Sequence, residues 1–354
     1  MMRALVYDPY LDTLGGGERY TLSVARVMVD LGYEVDLLWD DEEILEKLGR
    51  RFGMDVSEVC VKKNFLRGVG SLERWRRMKE YDLSFWVSDG SVPFLFAKKN
   101  LLHFQVPFSG VGGGGFLAKL KFRKIDEVVC NSEFTRRVIE REYEVKGVVV
   151  YPPVAVGGFR PLKKKNLILS VGRFSQLKQA KRQDVLIEVF RKMIDGGFEG
   201  WKLVLAGGSE VGKGEYFDRL LRRAEGYPIE VVENPSFDKL KILYGGAKIF
   251  WSAAGFGVDE EREAERVEHF GMAVVEAMAA GAVPVVYWAG GHKEIVRCGE
   301  DGEGWRTEEE LVKITQDLVS DHEKWGGQSL EARARAQNFS EVRFQDRIRK
   351  ILRK

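Results

Sequence analysis

Two glutamates eight residues apart, Glu268 and Glu276, enclose the run His269-Phe-Gly-Met-Ala-Val-Val275. A helix opening at Phe270 or Gly271 and ending near Ala280 would leave its first amides, at residues 270–273, without partners. Such amides form an anion site that could receive a diphosphate. Eight residues of helix rise about 12 Å, too far for the two carboxylates to share one metal or one proton. They suit the two hydroxyl-bearing ends of an extended ligand with phosphate between them. A nucleotide sugar (ribose, diphosphate, hexose) has that shape. A solvated pair of glutamates is the competing reading, but Glu276 lies within the small apolar stretch 273–280, where an unpaired carboxylate is costly to bury.

Gly172-Arg173-Phe174 follows the apolar run NLILSV directly, with Lys181 a short loop later. Ligands of open α/β sheets bind beyond the carboxyl ends of strands. An arginine and a lysine there can neutralise a departing diphosphate, the main electrostatic task in moving a sugar off a nucleotide. In the N-terminal half, Gly15-Gly16-Gly17 stands between a strand and a helix, and such glycines let backbone approach a ligand. The frame is not GxGxxG, and no Walker lysine follows. His103 closes an apolar run ahead of Phe104-Gln105-Val106-Pro107. A buried core histidine and a polar group near an acceptor are both open readings. Residues 112–115 are four glycines, which suggest a mobile loop, and they lead into FLAKLKFRK at 116–124. That mixture of apolar and basic residues is compatible with an anionic lipid surface, and equally with an exposed helix whose lysines snorkel.

The elements that must position these groups read as two αβ series. Strands are expected at 3–7, 34–39, 83–87, 100–104, 127–130 and 147–151, with a helix carrying Leu22, Ala25 and Val29 between the first two. Asn131-Ser-Glu-Phe-Thr135 reads as a cap opening another helix. Pro152-Pro153, Gly157-Gly158, Pro161 and Lys163-Lys-Lys165 are linker chemistry. A second series follows, with strands at 166–171, 201–206, 229–232, 248–251 and 283–287. The apolar runs are continuous, as in strands buried on both faces. The expected fold class is α/β: two doubly wound Rossmann-like domains facing a cleft, at 1–158 and 159–337. A basic amphipathic helix at 338–354, with Val342, Phe344 and Ile348 as its apolar stripe, would cross back over the boundary.

Composition sets limits. The formal charge of +2 is a small difference between 56 basic and 54 acidic residues, so no general case for a nucleic-acid partner exists. Cys60, Cys130 and Cys298 are isolated, and histidines number four. A disulfide framework or structural zinc site is therefore not expected, and a reducing, cytoplasmic setting is. The first apolar run breaks too early for a signal peptide.

The segments GGGERYTLSVARVM, VVCNSEFTRRVI, VYPPV, LILSVGRF, KRQDVLIEVF, WKLVLAGG and EHFGMAVVEAMAAGAVPVV, in that order, resemble the group 1 (family four) glycosyltransferases, retaining enzymes of the GT-B fold. The resemblance covers nearly the whole chain. It implies transfer of a hexose from a UDP- or GDP-sugar to a glycan or lipid-linked acceptor, with no obligatory cofactor or metal. It implies that Glu268 contacts the hexose, that Glu276 holds the ribose, and that Phe270, Gly271, Met272 and Ala273 offer amides to sugar and phosphate. Arg173 and Lys181 match the diphosphate clamp, Lys181 being preferred over Lys178 by its spacing to the apolar run. Gly16 and Gly17 match the glycine loop that touches the donor or acceptor, and His103 the histidine lining the acceptor side. Gly290-Gly291 with Glu294 and Ile295 match the end of the module. Ser252 stands where many relatives carry histidine, which puts a sugar contact there in doubt. The acidic stretch 258–265 is similar to a subset acting on lipid-linked oligosaccharides, including α-1,2-mannosyltransferases; with the basic segment 116–124, a lipid-linked acceptor would go with peripheral contact at the inner membrane surface. A nucleotide-sugar epimerase of the same fold and a non-catalytic nucleotide-sugar-binding subunit remain as alternatives.

Overall fold

A computed structural model describes residues 1–13, 15–176, 179–209 and 214–353. Lys178, the alternative clamp lysine, lies outside the described residues. The chain divides into two compact units, Met1–Pro153 with Glu341–Lys354, and Val154–Ser340.

The first unit runs β1 (Met2–Tyr7), α1 (Gly16–Asp30), β2 (Tyr33–Leu38), α2 (Ile44–Phe52), β3 (Val59–Lys62), α3 (Ser71–Met78), β4 (Leu83–Val87), β5 (Lys99–Phe104), α4 (Phe116–Phe122), β6 (Glu127–Cys130), α5 (Glu133–Tyr143) and β7 (Val148–Val149). The seven strands form one parallel sheet in the order β3-β2-β1-β4-β5-β6-β7. Strand alternation sends Ala4, Val6, Phe85, Val87 and Leu101 to the face covered by α1 and α2. Leu5, Tyr7, Trp86, Leu102 and Phe104 go to the opposite face. Ser132 caps α5 through Thr135 N–H at 3.0 Å, as its position predicts.

The second unit runs β8 (Lys165–Val171), α6 (Gln183–Asp195), β9 (Lys202–Gly207), α7 (Gly214–Ala224), β10 (Ile229–Glu233), α8 (Phe237–Gly246), β11 (Ala247–Ser252), α9 (Met272–Ala279), β12 (Val283–Tyr287), α10 (His292–Ile295), β13 (Glu303–Trp305), α11 (Glu308–Ser320) and α12 (His322–Ala336). Its six parallel strands are ordered β10-β9-β8-β11-β12-β13. The strand order reverses between β1 and β4 in the first sheet and between β8 and β11 in the second. Such switch points are where open α/β sheets bind ligands, outside the carboxyl ends of the strands.

Several expectations change. The division falls at residue 153 rather than 158, because Val154 pairs with Ser340 and so belongs with the second unit. Strands β3 and β13 have four and three residues, too short to leave a period in the sequence. The last helix, α13 (Glu341–Arg353), is part of the first unit, in keeping with the expected helix that crosses back, and buries Phe344, Ile348, Ile351 and Leu352. Val342, expected in that stripe, is exposed, since it lies about 200° around the helix from Phe344. The glycine loop before α4 is not free. The Glu142 carboxylate accepts the N–H groups of Gly110, Val111, Gly112 and Gly113 at 2.9–3.4 Å. Those four donors hold its pKa below the usual carboxylate range, against a burial effect that alone would raise it. No described helix is long and apolar enough to cross a membrane.

Candidate functional site

The second unit gathers most of the expected residues at the carboxyl ends of β8 and β11. Gly172 and Arg173 leave β8, and Gln183, the first residue of α6, donates to both their carbonyls at 3.3 and 3.1 Å. Gly207 packs so closely on this turn that an added Cβ would lie 2.0 Å from the Gly172 carbonyl oxygen. The turn is thus fixed, while the Arg173 side chain is exposed. Arg182 takes the left-handed conformation at φ 51°, uncommon for a residue with a Cβ. Its guanidinium bonds to Asp184 and the Phe256 carbonyl hold it there, and Lys181 is set just ahead of α6.

Lys181 Nζ reaches Glu268 Oε2 at 2.7 Å. Gln179 donates to the other carboxylate oxygen and to the Val267 carbonyl, both at 3.3 Å. Burial alone would raise the Glu268 pKa. The Lys181 ammonium beside it reverses that and holds it at about 2. Glu268 is therefore a buried carboxylate kept ionised by one lysine.

Helix α9 starts at Met272, and Gly271 caps it at φ 116° with no side-chain cap. The N-terminal amides are left to a ligand or solvent, as expected. Glu268 itself lies outside the helix, in irregular chain ahead of Gly271. The expected span of continuous helix between the glutamates is corrected accordingly: the positive φ at Gly271 turns the chain, and only residues 272–276 are helical. Glu276 is half-buried and accepts the Tyr244 hydroxyl at 2.7 Å. Tyr244 is fully buried, and burial with the facing carboxylate keeps its hydroxyl protonated.

The Gly290-Gly291 turn packs backbone to backbone on the Glu268 segment. Gly291 N–H donates to the Glu268 carbonyl at 2.7 Å. A Cβ on Gly290 would lie 2.2 Å from that same oxygen, and one on Gly291 2.5 Å from Phe270 Cα. Glu260, within the acidic stretch, accepts Gly290 N–H at 2.7 Å and pairs with Lys293.

Sequence reasoning missed His292, Gln179, Tyr244 and Glu260. His292 is fully buried, and its Nδ1 faces the Tyr287 carbonyl at 2.8 Å. A carbonyl only accepts, so Nδ1 carries the proton and Nε2 accepts the Ser252 hydroxyl at 3.2 Å. Burial lowers its pKa more than Glu268 raises it, so the ring is neutral. Ser252 is thereby occupied by His292. The one available signal was the position of His292 directly after the glycine pair.

His103, Gly16 and Gly17 lie in the first unit. Gly17 is in the first turn of α1, where a Cβ would meet the Gln105 amide at 2.1 Å, and Glu18 accepts the N–H of Gly15 ahead of it. His103, expected at the end of its strand and facing a cleft, is wholly buried near the end of β5. It stacks on Tyr20 at 4.1 Å between centroids and donates through Nδ1 to the Val129 carbonyl at 3.1 Å. Its Nε2 has no partner. Burial pushes its pKa from 6.5 down to about 3. The unfolded chain then binds a proton below pH 6.5 that the native ring refuses until about pH 3, so stability falls as pH drops through that window. His103→Phe should remove this dependence. Its melting temperature should drop several degrees less than that of the native chain between pH 7 and 4.5 in differential scanning fluorimetry, and parallel pH curves would contradict the assignment.

Against known proteins, the family model described as Glycosyl transferases group 1 matches residues 159–336. A Dictyostelium discoideum protein named GDP-Man:Man(3)GlcNAc(2)-PP-Dol alpha-1,2-mannosyltransferase is 28% identical over 64% of this chain and 46% of its own length. The Homo sapiens protein of the same name is 30% identical over 62% of this chain and 46% of its length. The matched stretch thus spans less than half of either relative. Among solved structures, a glycosyltransferase from Rickettsia africae superposes with TM-score 0.77 at 18% identity, covering 99% of this chain and 97% of that one. Anabaena Alr3699/HepE in complex with UDP and glucose gives 0.75 at 18%, covering 99% of both. These likenesses establish the shared GT-B glycosyltransferase fold.

Proposed function

Since the chain belongs to the group 1 glycosyl transferases, we propose that it moves a hexose from a nucleoside-diphosphate sugar to a glycan or lipid-linked acceptor, with retention of anomeric configuration. The observation that carries this reading is the 2.7 Å Lys181–Glu268 pair beside the uncapped N-terminus of α9. In this reading the diphosphate lies against the amides of residues 270–273, where the helix dipole favours anions. Arg173 and Lys181 supply the positive charge that a departing diphosphate requires. Glu268, ionised by Lys181, meets hexose hydroxyls, and Glu276, steadied by Tyr244, meets the ribose. Substitution on one face, assisted by the leaving phosphate, accounts for retention without a covalent enzyme intermediate. The names of the two relatives favour a GDP-linked hexose and a lipid-linked glycan, and the HepE complex keeps UDP-sugars in consideration.

A thermal-shift screen of GDP-, UDP- and ADP-sugars, followed by product analysis, tests the proposal. One donor should stabilise the chain, and its sugar should appear on the acceptor in the donor's configuration. Free sugar released with nucleotide would indicate an epimerase, and no stabilisation by any nucleotide a non-catalytic subunit. The two glutamates should separate in the same assay. Glu276→Ala should weaken the bare nucleoside diphosphate and the intact donor alike, about tenfold or more for a lost charged hydrogen bond. Glu268→Gln should weaken only the intact donor. Equal effects of both substitutions on the bare nucleotide would refute the division of roles.

A further inference from the structure

Helices α3 and α4 both cover the face of the first sheet that α1 leaves open. Helix α3 is seated through Met78 on the cluster of Leu5, Leu38 and Tyr81. Phe96 packs against that same cluster and stacks on Phe94 at 6.2 Å, and Lys121 of α4 sits 5.2 Å from the Phe94 ring. Phe122 then joins α4 to Tyr143 of α5. The two helices are thus parts of one surface, linked by the Phe94–Phe96 segment.

That surface has two unusual properties. Among the described residues from 3 to 153, the exposed large apolar side chains are Leu72, Trp75, Val111, Phe116, Leu117 and Leu120, all on α3, α4 or the loop entering α4. Phe116 is 86% exposed, and no side chain of α4 is buried. A helix whose side chains, Phe122 included, are at most half-buried gains little from folding onto its own domain. The second property is charge. No acidic residue occurs between Asp89 and Asp126, while on and just after α4 stand Lys119, which pairs with Glu144, and Lys121, Arg123 and Lys124. On α3 and the two residues after it, Arg74, Arg76, Arg77 and Lys79 outnumber Glu73 and Glu80, and Glu73 pairs with Arg76 and Arg77. The loop that presents Phe116 is held rigid by the four N–H bonds to Glu142.

We propose that this face docks on an anionic lipid bilayer, with Phe116, Leu117, Leu120 and Trp75 entering the interfacial layer and the lysines and arginines meeting lipid phosphates. Aromatic and aliphatic tips backed by basic residues are the composition that binds such an interface. A protein partner buried on these apolar tips would instead have to match a strongly positive rim. The inference goes beyond the donor reading and does not depend on it, because vesicle binding needs neither nucleotide sugar nor glycan.

Co-sedimentation with sucrose-loaded vesicles tests it, comparing phosphatidylcholine alone with phosphatidylcholine containing one-third phosphatidylglycerol. The chain should pellet with the anionic vesicles, at least tenfold more tightly than with the neutral ones, and 0.5 M NaCl should weaken the binding. The variant Lys121→Glu/Arg123→Glu/Lys124→Glu should lose on the order of 100-fold in anionic-vesicle affinity. Phe116→Ser/Leu117→Ser should lose at least tenfold while keeping the native melting temperature and the native thermal shift with nucleotide. Native chain left in the supernatant with anionic vesicles overturns the proposal. Apolar and charge variants that bind as the native chain does also overturn it. So does light scattering showing a dimer that Phe116→Ser/Leu117→Ser dissolves, which would make a second copy the occupant.

Discussion

Replacing Arg173 and Lys181 together by alanine should lower kcat/KM for the donor by at least about 10³-fold, since each preorganised charge at a leaving group contributes roughly 10²–10³. The two residues are distinguishable. Arg173 is exposed on a turn fixed by Gln183, so Arg173→Ala should cost rate without lowering the melting temperature. Lys181→Ala should cost both. Breaking a buried ion pair leaves an uncompensated charge, at about 3 kcal/mol, and here that charge is Glu268.

The pH dependence of Lys181→Ala follows from the same pair. In the native chain Glu268 titrates at about 2, below its ordinary 4.5. Its contribution to stability is therefore present above about pH 4.5 and is lost as pH falls toward 2. Without Lys181, burial dominates and the carboxyl titrates above its ordinary value. The variant should then lose stability as pH rises above 4.5, where the native chain does not. Urea melts from pH 4 to 8 measure the difference, with Lys181→Arg as the variant that keeps the charge. Native transfer rates in the double variant, measured with radiolabelled donor, would remove the phosphate role from both residues.

Gly291→Ala should be nearly as damaging to donor turnover, although it adds only one methyl group and removes no charge. The added Cβ would stand 2.5 Å from Phe270 Cα and 2.6 Å from the His269 carbonyl oxygen. Both are backbone atoms, so the 268–271 segment must move rather than a side-chain tip. That segment carries Glu268 and opens α9. A displacement near 1 Å in positioning groups lowers rate about 10²-fold, and overpacking of this kind destabilises by about 1–3 kcal/mol. Gly327→Ala is the matching control. Gly327 lies within α12 with nothing inside 4 Å of its added Cβ, and it should gain about 0.5–1 kcal/mol of helix stability. If Gly291→Ala tracks that control in kcat/KM and in urea midpoint, the glycine turn does not position the site.

Much of this could be read along the chain because it depends on local periodicity and composition. Continuous apolar runs such as NLILSV and WKLVLA have the pattern of strands covered on both faces, and they mark β8 and β9 within a residue or two. The placement of Glu268 and Glu276 around a glycine ahead of a small apolar run likewise announces a helix N-terminus and its anion site. Residue type and place after a strand were enough to select Arg173, while Lys181 was preferred over Lys178 by its spacing to the next apolar run.

What the line of residues could not carry was pairing across distance and burial. Lys181 and Glu268 are 87 residues apart, and only folding makes them one ionised unit. His103 had the type and strand-end position of a polar site residue, yet its ring is enclosed by Tyr20 and Phe85, since a solvent-free position leaves no local mark. The four-glycine loop looked mobile because its anchor, Glu142, comes some thirty residues later. Glu268 and Glu276 show both limits together. Their residue types and spacing followed from the sequence, whereas the turn at Gly271, the lysine that ionises one and the tyrosine that steadies the other are set by tertiary packing. Charge and hydrogen-bond partners act through space, and the chain returns to these glutamates only after β8, α8 and the 290–291 turn have been folded around them.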